Sequence, residues 1–210
     1  MYKVLICDDE KDIVEAIAIY LETAGYGVIK AYDGFEAIEC MKKEEIHLII
    51  MDVMMPDLDG IKATRKIRKT STVPIIFLTA KSEDADKILG LDIGADDYVT
   101  KPFNPLELVA RVKSQIRRYT ELGNLNSEET NDKILVNGGL VINDSEKSVT
   151  VDGEEIRLTP IDYNILYLLT ENSGRVFTAD QIYEAIWDED AMASDNVIAV
   201  HVRHIREKIE

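Results

Sequence analysis

Two hydrophobic patterns alternate along residues 1–120. Short apolar runs rich in β-branched residues are typical of strands buried on both faces, and between them apolar residues recur every three to four positions, as in helices. The runs are Tyr2–Cys7, Gly27–Ala31, His47–Met51, Pro74–Leu78 and Asp97–Val99, and the helical segments are Ile13–Ala24, Asp33–Lys43, Gly60–Lys69, Ser82–Asp92 and Asn104–Arg118. Five strands alternating with helices predict an α/β fold with a doubly wound parallel sheet.

A different pattern begins near residue 121. Residues 121–133 are polar and predict a linker. Short alternating strands follow in Ile134–Leu158, with turns at Asn137-Gly138-Gly139 and at Asp152-Gly153, the second a strong hairpin signal. Three helical segments come last, at Thr159–Glu171, Thr178–Trp187 and Ser194–Glu210. This order predicts an α+β domain.

The composition fits a water-soluble protein with two domains. The 210 residues are 46% apolar and 30% charged, enough for two cores, which we place at residues 1–120 and 134–210. No apolar run approaches the length of a membrane span and no signal peptide opens the chain, so we expect a cytoplasmic protein without membrane contact. The two cysteines, Cys7 and Cys40, fit a reducing compartment.

The chain is strongly acidic, with a net charge of −16. Residues 1–132 hold 17 lysines and arginines against 25 aspartates and glutamates, and residues 133–210 hold 7 against 15, so each part carries −8. Because a basic face is the usual mark of a nucleic-acid binder, either half would have to bind DNA through a small local patch.

Polar residues collect where the predicted strands of the first domain end. Asp8 and Asp9 follow the first strand, Asp52 the third, Thr79 the fourth, and Lys101 the fifth. The carboxyl ends of parallel strands lie at one edge of the sheet, so these side chains can converge. Three carboxylates repel one another unless a cation neutralises them, and hard oxygen ligands favour Mg²⁺.

This edge also suits phosphoryl chemistry. A carboxylate such as Asp52 can act as a nucleophile toward a phosphoryl group, while Thr79 could bond one phosphoryl oxygen and Lys101 could neutralise another. A single strand-end aspartate is more often a turn or capping residue, and Asp9 or Asp12 could instead cap the first helix. Because polar residues recur at successive strand ends, we favour a site for phosphoryl chemistry over separate turn or capping residues.

The motifs CDDE, MDVMMPDLDG, LTAK and GADDYVTKPF occur in this order in residues 1–120, which therefore resemble a response-regulator receiver domain. The resemblance implies a five-stranded, flavodoxin-like and CheY-like sheet with Asp52 as the phosphoacceptor. It implies that Asp9, Asp52 and the backbone carbonyl of Met54 bind Mg²⁺, with Asp8 acting through water.

The same resemblance gives roles to four further positions. Thr79 and Tyr98 match the switch pair of the family, in which the hydroxyl moves toward the phosphoryl group and the aromatic ring turns inward. Lys101 matches the lysine that contacts the phosphate, and its bond to Pro102 is cis in the family, a rare feature.

The last helical segment has one apolar face, formed by Ile198, Val202, Ile205 and Ile209. On a helical wheel the opposite face carries Asn196, Val200, Arg203, His204 and Glu207, and His201 and Arg206 lie on the flanks. Two short helices followed by a helix with exposed basic residues fit a helix-turn-helix. An ordinary surface helix of mixed charge would give the same pattern.

Residues 134–210 resemble the winged-helix effector domain of OmpR/PhoB-type transcription factors, through LTPIDYNILYLLTENSGRVFT, QIYEAIW and VHVRHIREKI. The receiver is also similar to the vancomycin-resistance group of these regulators. The resemblance implies that Ser194–Glu210 lies in the major groove and that Asp188–Ala193 meets RNA polymerase. The residues expected to face DNA are Asn196, His201, Arg203, His204 and Arg206.

Two departures from the family pattern bear on DNA binding. His204 stands where some relatives carry an arginine, so base preference does not transfer. The sequence ends at Glu210, whereas the family continues into a C-terminal β-hairpin, the wing. We therefore expect a winged-helix domain that lacks its C-terminal wing, with weaker and less salt-dependent DNA binding.

A set of charged residues matches the symmetric dimer face of the family. Its members lie around the fourth helical segment, the fifth strand and the fifth helical segment: Lys87, Asp96, Asp97, Glu107, Arg111 and Arg118. The resemblance implies the pairs Lys87–Glu107, Asp96–Arg118 and Asp97–Arg111 across a two-fold axis. A flexible linker would let such a homodimer bind tandem DNA half-sites.

The sequence thus predicts a phosphorylation-controlled transcription factor, partner to a sensor histidine kinase, with promoter DNA and RNA polymerase as further partners. One alternative is a phosphatase with an aspartyl nucleophile, but such enzymes generally need a second carboxylate two residues later, and position 54 is Met. We therefore expect no enzymatic activity beyond slow self-dephosphorylation. Another alternative is a receiver whose second half signals by protein contact alone.

Overall fold

The structure, a computed structural model, describes residues 1–80, 95–123, 134–187 and 194–210. The chain divides into two compact units, Met1–Tyr119 and Thr120–Glu210. The predicted helix at Ser82–Asp92 lies outside the described residues, as does most of the predicted linker. Within the described ranges, no helix combines the length and the apolar character needed to span a bilayer.

The first unit is built on a parallel sheet. Its described strands are β1 (Lys3–Cys7), β2 (Gly27–Ala31), β3 (Leu48–Asp52), β4 (Ile75–Thr79) and β5 (Asp97–Thr100), in the order β2-β1-β3-β4-β5. Its described helices are α1 (Lys11–Thr23), α2 (Gly34–Lys43), α3 (Gly60–Ile67) and α4 (Pro105–Gly123). Neighbouring strands all pair in parallel.

Successive residues of each central strand enter different cores, because side chains alternate across a sheet. In β3, Ile49 and Met51 pack into one cluster together with residues of α2 and α3. Leu48 and Ile50 pack into a second cluster with residues of α1 and α4. Helices therefore cover both faces, which confirms the predicted doubly wound parallel sheet.

Local sequence explains where these helices begin and end. Asp33 caps α2 by accepting hydrogen bonds from the amides of Phe35 and Glu36 at 2.7 and 2.8 Å, and Asp59 caps α3 at the amide of Lys62. Gly25 ends α1 with a φ of 90°, a left-handed conformation that glycine adopts without a steric penalty.

Gly60 holds the loop that follows β3 against the sheet edge. A Cβ at this position would overlap the backbone oxygen of Asp52 and lie 2.9 Å from Cγ of Met51. We expect Gly60→Ala to lower the free energy of unfolding of the first unit by about 1–3 kcal/mol, the usual range for overpacking. Gly27→Ala is the matched control, since its Cβ would approach nothing closer than 3.4 Å. Urea unfolding of both variants checks this; equal losses would contradict it.

The second unit joins an antiparallel sheet to three helices. The strands β6 (Ile134–Asn137), β7 (Leu140–Asn143), β8 (Ser148–Val151) and β9 (Glu154–Glu155) pair in sequence order, and the helices are α5 (Pro160–Glu171), α6 (Ala179–Trp187) and α7 (Ser194–Ile209). Asp152 and Gly153 both have positive φ, as a two-residue hairpin turn requires. The predicted turns and the α+β character are confirmed.

Capping residues position the helices of the second unit. Thr159 accepts a hydrogen bond from the amide of Asp162 at 3.3 Å at the start of α5. Thr178 and Gln181 exchange side chain-to-amide hydrogen bonds at 3.1 and 3.2 Å before α6, the reciprocal pattern of a capping box. Ile161, Ile182, Val197 and Ile205 are buried, so all three helices share the core.

Candidate functional site

The carboxyl edge of the parallel sheet gathers three aspartates. Asp8 and Asp9 directly follow β1, and Asp52 is the last residue of β3. Their carboxylate oxygens lie within 4.8 Å of one another. Asp8 and Asp52 are buried and Asp9 is exposed, so the cluster opens to solvent on the Asp9 side. The predicted convergence at the sheet edge is confirmed for these residues.

Neither aspartate suggested as a cap of α1 serves that purpose. The N-cap position is Glu10, which makes no side-chain capping bond, and Asp12 lies in the first turn. Asp8 instead accepts a hydrogen bond from the amide of Glu10 at 3.0 Å. Asp9 is therefore available to a ligand of the cluster.

Lys101, which follows the edge strand β5, contacts the carboxylates of the cluster. Its Nζ lies 2.7 Å from Oδ2 of Asp8, 3.0 Å from Oδ1 of Asp52 and 3.7 Å from Oε1 of Glu10. Its peptide bond to Pro102 is cis. Glu10 had no sequence signal that separated it from the two acidic residues before it, because only the direction of the chain after β1 brings its carboxylate to the lysine.

The pKa values of Asp52 and Lys101, which form this ion pair, are both raised, but for different reasons. Burial raises the pKa of Asp52, and repulsion from Asp8 adds to this, while the hydrogen bond and charge of Lys101 compensate only in part. The pKa of Lys101 is itself raised, since two carboxylates outweigh the effect of its own burial. The lysine is therefore firmly charged, whereas the Asp52 carboxylate is held at a cost in free energy.

This cost predicts that Asp52→Asn stabilises the first unit near pH 7. A carboxyl group whose pKa is raised in the folded state favours folding in its protonated form and opposes it once ionised. The neutral amide removes the ionised group, so we expect a higher unfolding midpoint instead of the roughly 1 kcal/mol loss typical of point mutations. Thermal unfolding at pH 7 without divalent cations checks this, and a lower midpoint would contradict it.

The hydroxyl of Thr79 is available beside the cluster. The residue ends β4 and is fully buried, and its Oγ1 has no hydrogen-bond partner among the described residues. A buried hydroxyl without a partner is unfavourable, so its position calls for a ligand or a conformational change. Tyr98, two positions before Thr100 at the end of β5, packs at the edge of the core.

The loop after β3 lies over the same edge. Met54 is 67% exposed, and its amide donates a hydrogen bond to Oδ2 of Asp52 at 3.1 Å. Three carboxylates supply only hard oxygen donors, which is the chemistry Mg²⁺ prefers, and the exposed side of Asp9 leaves room for coordinated water. The residues present therefore fit a magnesium ion, with phosphoryl oxygens as additional ligands.

Cys7, the last residue of β1, carries a buried thiol next to the cluster. Cys7 Sγ lies 3.2 Å from the backbone oxygen of Asp33. Burial, together with the charges of Asp33, Asp8 and Asp52, raises the pKa of the Cys7 thiol far above its usual range. Because the thiolate is the reactive form, Cys7 is an inert packing residue.

The charged residues predicted to form a dimer face make contacts within the chain. Arg111 lies 3.0 Å from Asp97 and 3.1 Å from Glu107. Asp96 is fully buried and lies 2.7 Å from Arg68, so it does not contribute to a surface in this conformation. The predicted Asp96–Arg118 pair between chains stays a prediction.

The sixth residue of that predicted face, Lys87, lies outside the described residues, as does the loop Asp188–Ala193 that was expected to meet RNA polymerase. Arg118, at the end of the set, is buried within the first unit. Among the described members of the predicted face, the side chains of Glu107 and Arg111 are 51% and 18% exposed, so Glu107 offers most of the accessible surface.

The predicted DNA-facing residues of α7 divide into two groups. Arg203 and Arg206 have side chains that are 57% and 65% exposed, each paired with the glutamate four residues later, Glu207 at 3.1 Å and Glu210 at 2.8 Å. These exposed pairs contribute little to stability, so the arginines can exchange their partners for an anionic ligand. The side chain of Asn196 lies outside the described residues.

The prediction that the side chains of His201 and His204 face DNA is wrong. Both are buried, and Nδ1 of His201 lies 2.8 Å from Oδ1 of Asp162 on α5. The ring of His201 also lies 5.8 Å from that of Trp187 on α6. Because α7 packs against both α5 and α6, its buried face is wider than the four apolar residues indicated.

Asp162 is a residue that sequence reasoning missed. Burial opposes its ionisation, but the hydrogen bond from His201 and the charges of His201, His204 and Lys208 outweigh this, so the pKa of Asp162 lies below its usual range. Its partner lies 39 positions away, and no local pattern in the sequence connects the two.

Comparison with protein families and relatives gives a consistent result. Residues 4–113 match the response regulator receiver domain, and residues 153–210 match the C-terminal domain of transcriptional regulatory proteins. The regulatory protein VanR of Enterococcus faecium is 46% identical over 208 residues, covering 99% of this chain and 89% of VanR.

Two further relatives cover the chain over nearly its full length. The alkaline phosphatase synthesis transcriptional regulatory protein PhoP of Bacillus subtilis (strain 168) is 42% identical over 212 residues, covering 99% of this chain and 88% of PhoP. The crystal structure of DrrB, an OmpR/PhoB homolog from Thermotoga maritima, has a TM-score of 0.52 and 32% identity, covering all of this chain and 90% of DrrB.

Proposed function

The chain belongs to the response regulators of the OmpR/PhoB type, and on that basis we propose that phosphorylation of Asp52 by a sensor histidine kinase controls its binding to promoter DNA. The family membership makes the chain a transcriptional regulator with a receiver and a DNA-binding domain, and favours this function over signalling by protein contact alone. The observation that carries the proposal is the convergence of Asp8, Asp9, Asp52 and Lys101 at one sheet edge.

Asp52 is suited to receive the phosphoryl group. A carboxylate oxygen of Asp52 attacks phosphorus, the bond from phosphorus to the donor nitrogen breaks, and the donor imidazole recovers a proton. Lys101, already 3.0 Å from Oδ1 of Asp52, provides a permanent positive charge whose ammonium group would contact a phosphoryl oxygen once Asp52 is modified. Its raised pKa keeps it charged at physiological pH.

Asp9, Asp52 and the carbonyl of Met54 would hold Mg²⁺, with Asp8 acting through water. When bound, the ion neutralises the negative charge of the carboxylates and of the phosphoryl oxygens. Without such neutralisation, a dianionic phosphoryl group would enter a cluster that already contains three carboxylates, and repulsion would oppose its transfer.

The hydroxyl of Thr79 provides a readout of the modification. Since it is buried without a hydrogen-bond partner among the described residues, a phosphoryl oxygen on Asp52 offers it one. Its movement would leave space at the end of β4 for the ring of Tyr98 to turn inward, so that a local charge change alters the surface formed by β5 and α4.

The altered surface would favour a homodimer, which suits tandem half-sites in promoter DNA. Arg111 forms ion pairs with two other members of the predicted dimer face, Asp97 and Glu107. In this proposal the ion pairs within each chain are exchanged for ion pairs between chains when Asp52 is phosphorylated. RNA polymerase would then contact the bound dimer through the Asp188–Ala193 loop.

We expect Arg111→Ala to weaken phosphorylation-dependent dimerisation by roughly tenfold, because a charged hydrogen-bonded partner is lost at the interface. Sedimentation of the phosphorylated chain over a range of concentrations measures this. Lys113→Ala removes an exposed cation two positions away on α4 and is the matched control. Unchanged dimerisation of Arg111→Ala would locate the interface elsewhere.

A further inference from the structure

A second cluster of potential metal ligands lies inside the DNA-binding unit. Asp162 extends from the first turn of α5, and His201 and His204 lie three residues apart on α7. One ligand atom of each residue lies within 4.8 Å of the others. All three are buried, with exposed fractions of 1%, 2% and 9%. The proposed function of the chain uses none of them.

The spacing of the two histidines suits a shared ligand. Residues three apart lie on the same face of a helix, and the rings of His201 and His204 are 6.3 Å apart at an interplanar angle of 85°. Asp162 is held in place by the capping bond that its amide donates to Thr159. Two imidazoles on one helix and a carboxylate on another thus converge from two elements.

The donor set indicates the class of ion. Imidazole nitrogen and carboxylate oxygen suit Zn²⁺ and neighbouring transition metals, while Mg²⁺ prefers oxygen alone. Tetrahedral bonds of about 2.0–2.1 Å separate the ligand atoms by about 3.4 Å. The contact between His201 Nδ1 and Asp162 Oδ1 is 2.8 Å, so small rotations of these side chains would bring the three donors to that spacing.

We propose that Asp162, His201 and His204 form a binding site for a Zn²⁺-class ion, which joins α7 to α5 inside the DNA-binding unit. The ion takes the position that a proton holds between His201 Nδ1 and Asp162 Oδ1, and an imidazole nitrogen of His204 is the third protein ligand. Binding releases that proton to solvent. The fourth position is filled by water, as in three-ligand zinc sites.

Such a site would make the second unit responsive to metal. α7 is the helix that carries the exposed Arg203 and Arg206, so an ion that fixes it against α5 also fixes the orientation of these arginines. The simpler interpretation is a buried hydrogen bond between His201 and Asp162 with His204 packed beside it. The two interpretations differ in one measurable property, which is saturable binding of zinc through His204.

The test uses the full chain freed of metal and titrated with zinc chloride against a chromophoric chelator. Saturating Mg²⁺ is present throughout, to occupy the Asp8–Asp9–Asp52 cluster. We expect one equivalent of tight binding and a rise in the unfolding midpoint of the second unit. Co²⁺ in place of zinc should give the visible absorption of a tetrahedral site.

Matched variants locate the site. Loss of an outer-shell partner typically weakens metal binding by 10–100-fold, so we expect loss of a ligand in His204→Gln to weaken zinc binding by at least about 100-fold. The chain contains three histidines, and the third is His47 in the receiver, so His47→Gln is the control that should bind as the wild type does. Asp162→Asn, which retains a hydrogen-bond acceptor, should also lose tight binding.

The outcomes decide the proposal directly. Absence of saturable zinc binding by the wild-type chain would overturn it, and so would undiminished binding by His204→Gln and Asp162→Asn. If His204→Gln fails to fold, Asp162→Asn and the Co²⁺ spectrum of the wild-type chain decide instead, and an octahedral, all-oxygen spectrum would count against the site. These results do not depend on phosphorylation of Asp52.

Discussion

Asp52→Asn is expected to abolish incorporation of a phosphoryl group from a small acyl phosphate, whereas the wild-type chain should approach one group per molecule. The amide retains the shape of the carboxylate but lacks the nucleophilic oxygen. Among the described residues, Lys101 also lies 2.7 Å from Asp8 and 3.7 Å from Glu10. Of these three carboxylates, Asp52 is the one that ends β3, the strand paired with β4 and hence next to Thr79. Mass spectrometry of the intact chain measures the modification.

Asp57→Asn is the matched control for this experiment. Asp57 lies in the same loop and has a φ of 63°, a conformation that asparagine tolerates, so the variant should accept the phosphoryl group normally. Chelation of Mg²⁺ with an excess of EDTA should reduce incorporation by the wild-type chain to background. Full modification of Asp52→Asn, or full modification in EDTA, would contradict the assignment of the acceptor or of the metal.

The double variant Arg203→Ala, Arg206→Ala is expected to weaken DNA binding by roughly 10–100-fold. The slope of the logarithm of the binding constant against the logarithm of the salt concentration should become shallower by about one to two. Both side chains are more than half exposed on α7, and the unit around them is acidic, so few other cations can replace them. Fluorescence anisotropy with a labelled duplex at several salt concentrations measures both quantities.

Two further variants sharpen this measurement. Arg175→Ala removes an exposed arginine from the loop between α5 and α6, where it stacks on Phe177 with 4.6 Å between the guanidinium carbon and the ring centre, and it should leave DNA binding within about twofold. Glu207→Gln removes the negative charge that pairs with Arg203 and should strengthen binding. If Arg175→Ala weakened binding as much as the double variant, α7 would not be the main contact.

The architecture of the receiver could be predicted from the sequence because its signals are local. Apolar runs gave the described strands to within one residue at most ends, since a strand buried on both faces needs a continuous apolar stretch. The functional edge followed from the same reasoning, because the ends of parallel strands meet at one edge whatever the details of packing. Asp8, Asp9, Asp52 and Lys101 were brought together for that reason.

The contacts that could not be predicted join residues that are distant in sequence. A helical wheel placed His204 opposite the apolar face and His201 on its flank because it counts apolar residues, and it cannot register a buried histidine whose partner, Asp162, lies on another helix. Asp96 and Asp97 are adjacent in sequence, but Asp96 turns inward to Arg68 while Asp97 pairs with Arg111. Only the packed structure distinguishes such neighbours.

Recognition of DNA by this chain is proposed to depend on phosphorylation of Asp52. Selection of bound sequences from a pool of random duplexes tests it most directly, using the wild-type chain with and without acyl phosphate and Mg²⁺, and Asp52→Asn under the same conditions. Enrichment of a direct repeat is expected with the phosphorylated wild-type chain alone. Equal enrichment with Asp52→Asn, or enrichment that is independent of the phosphodonor, would contradict it.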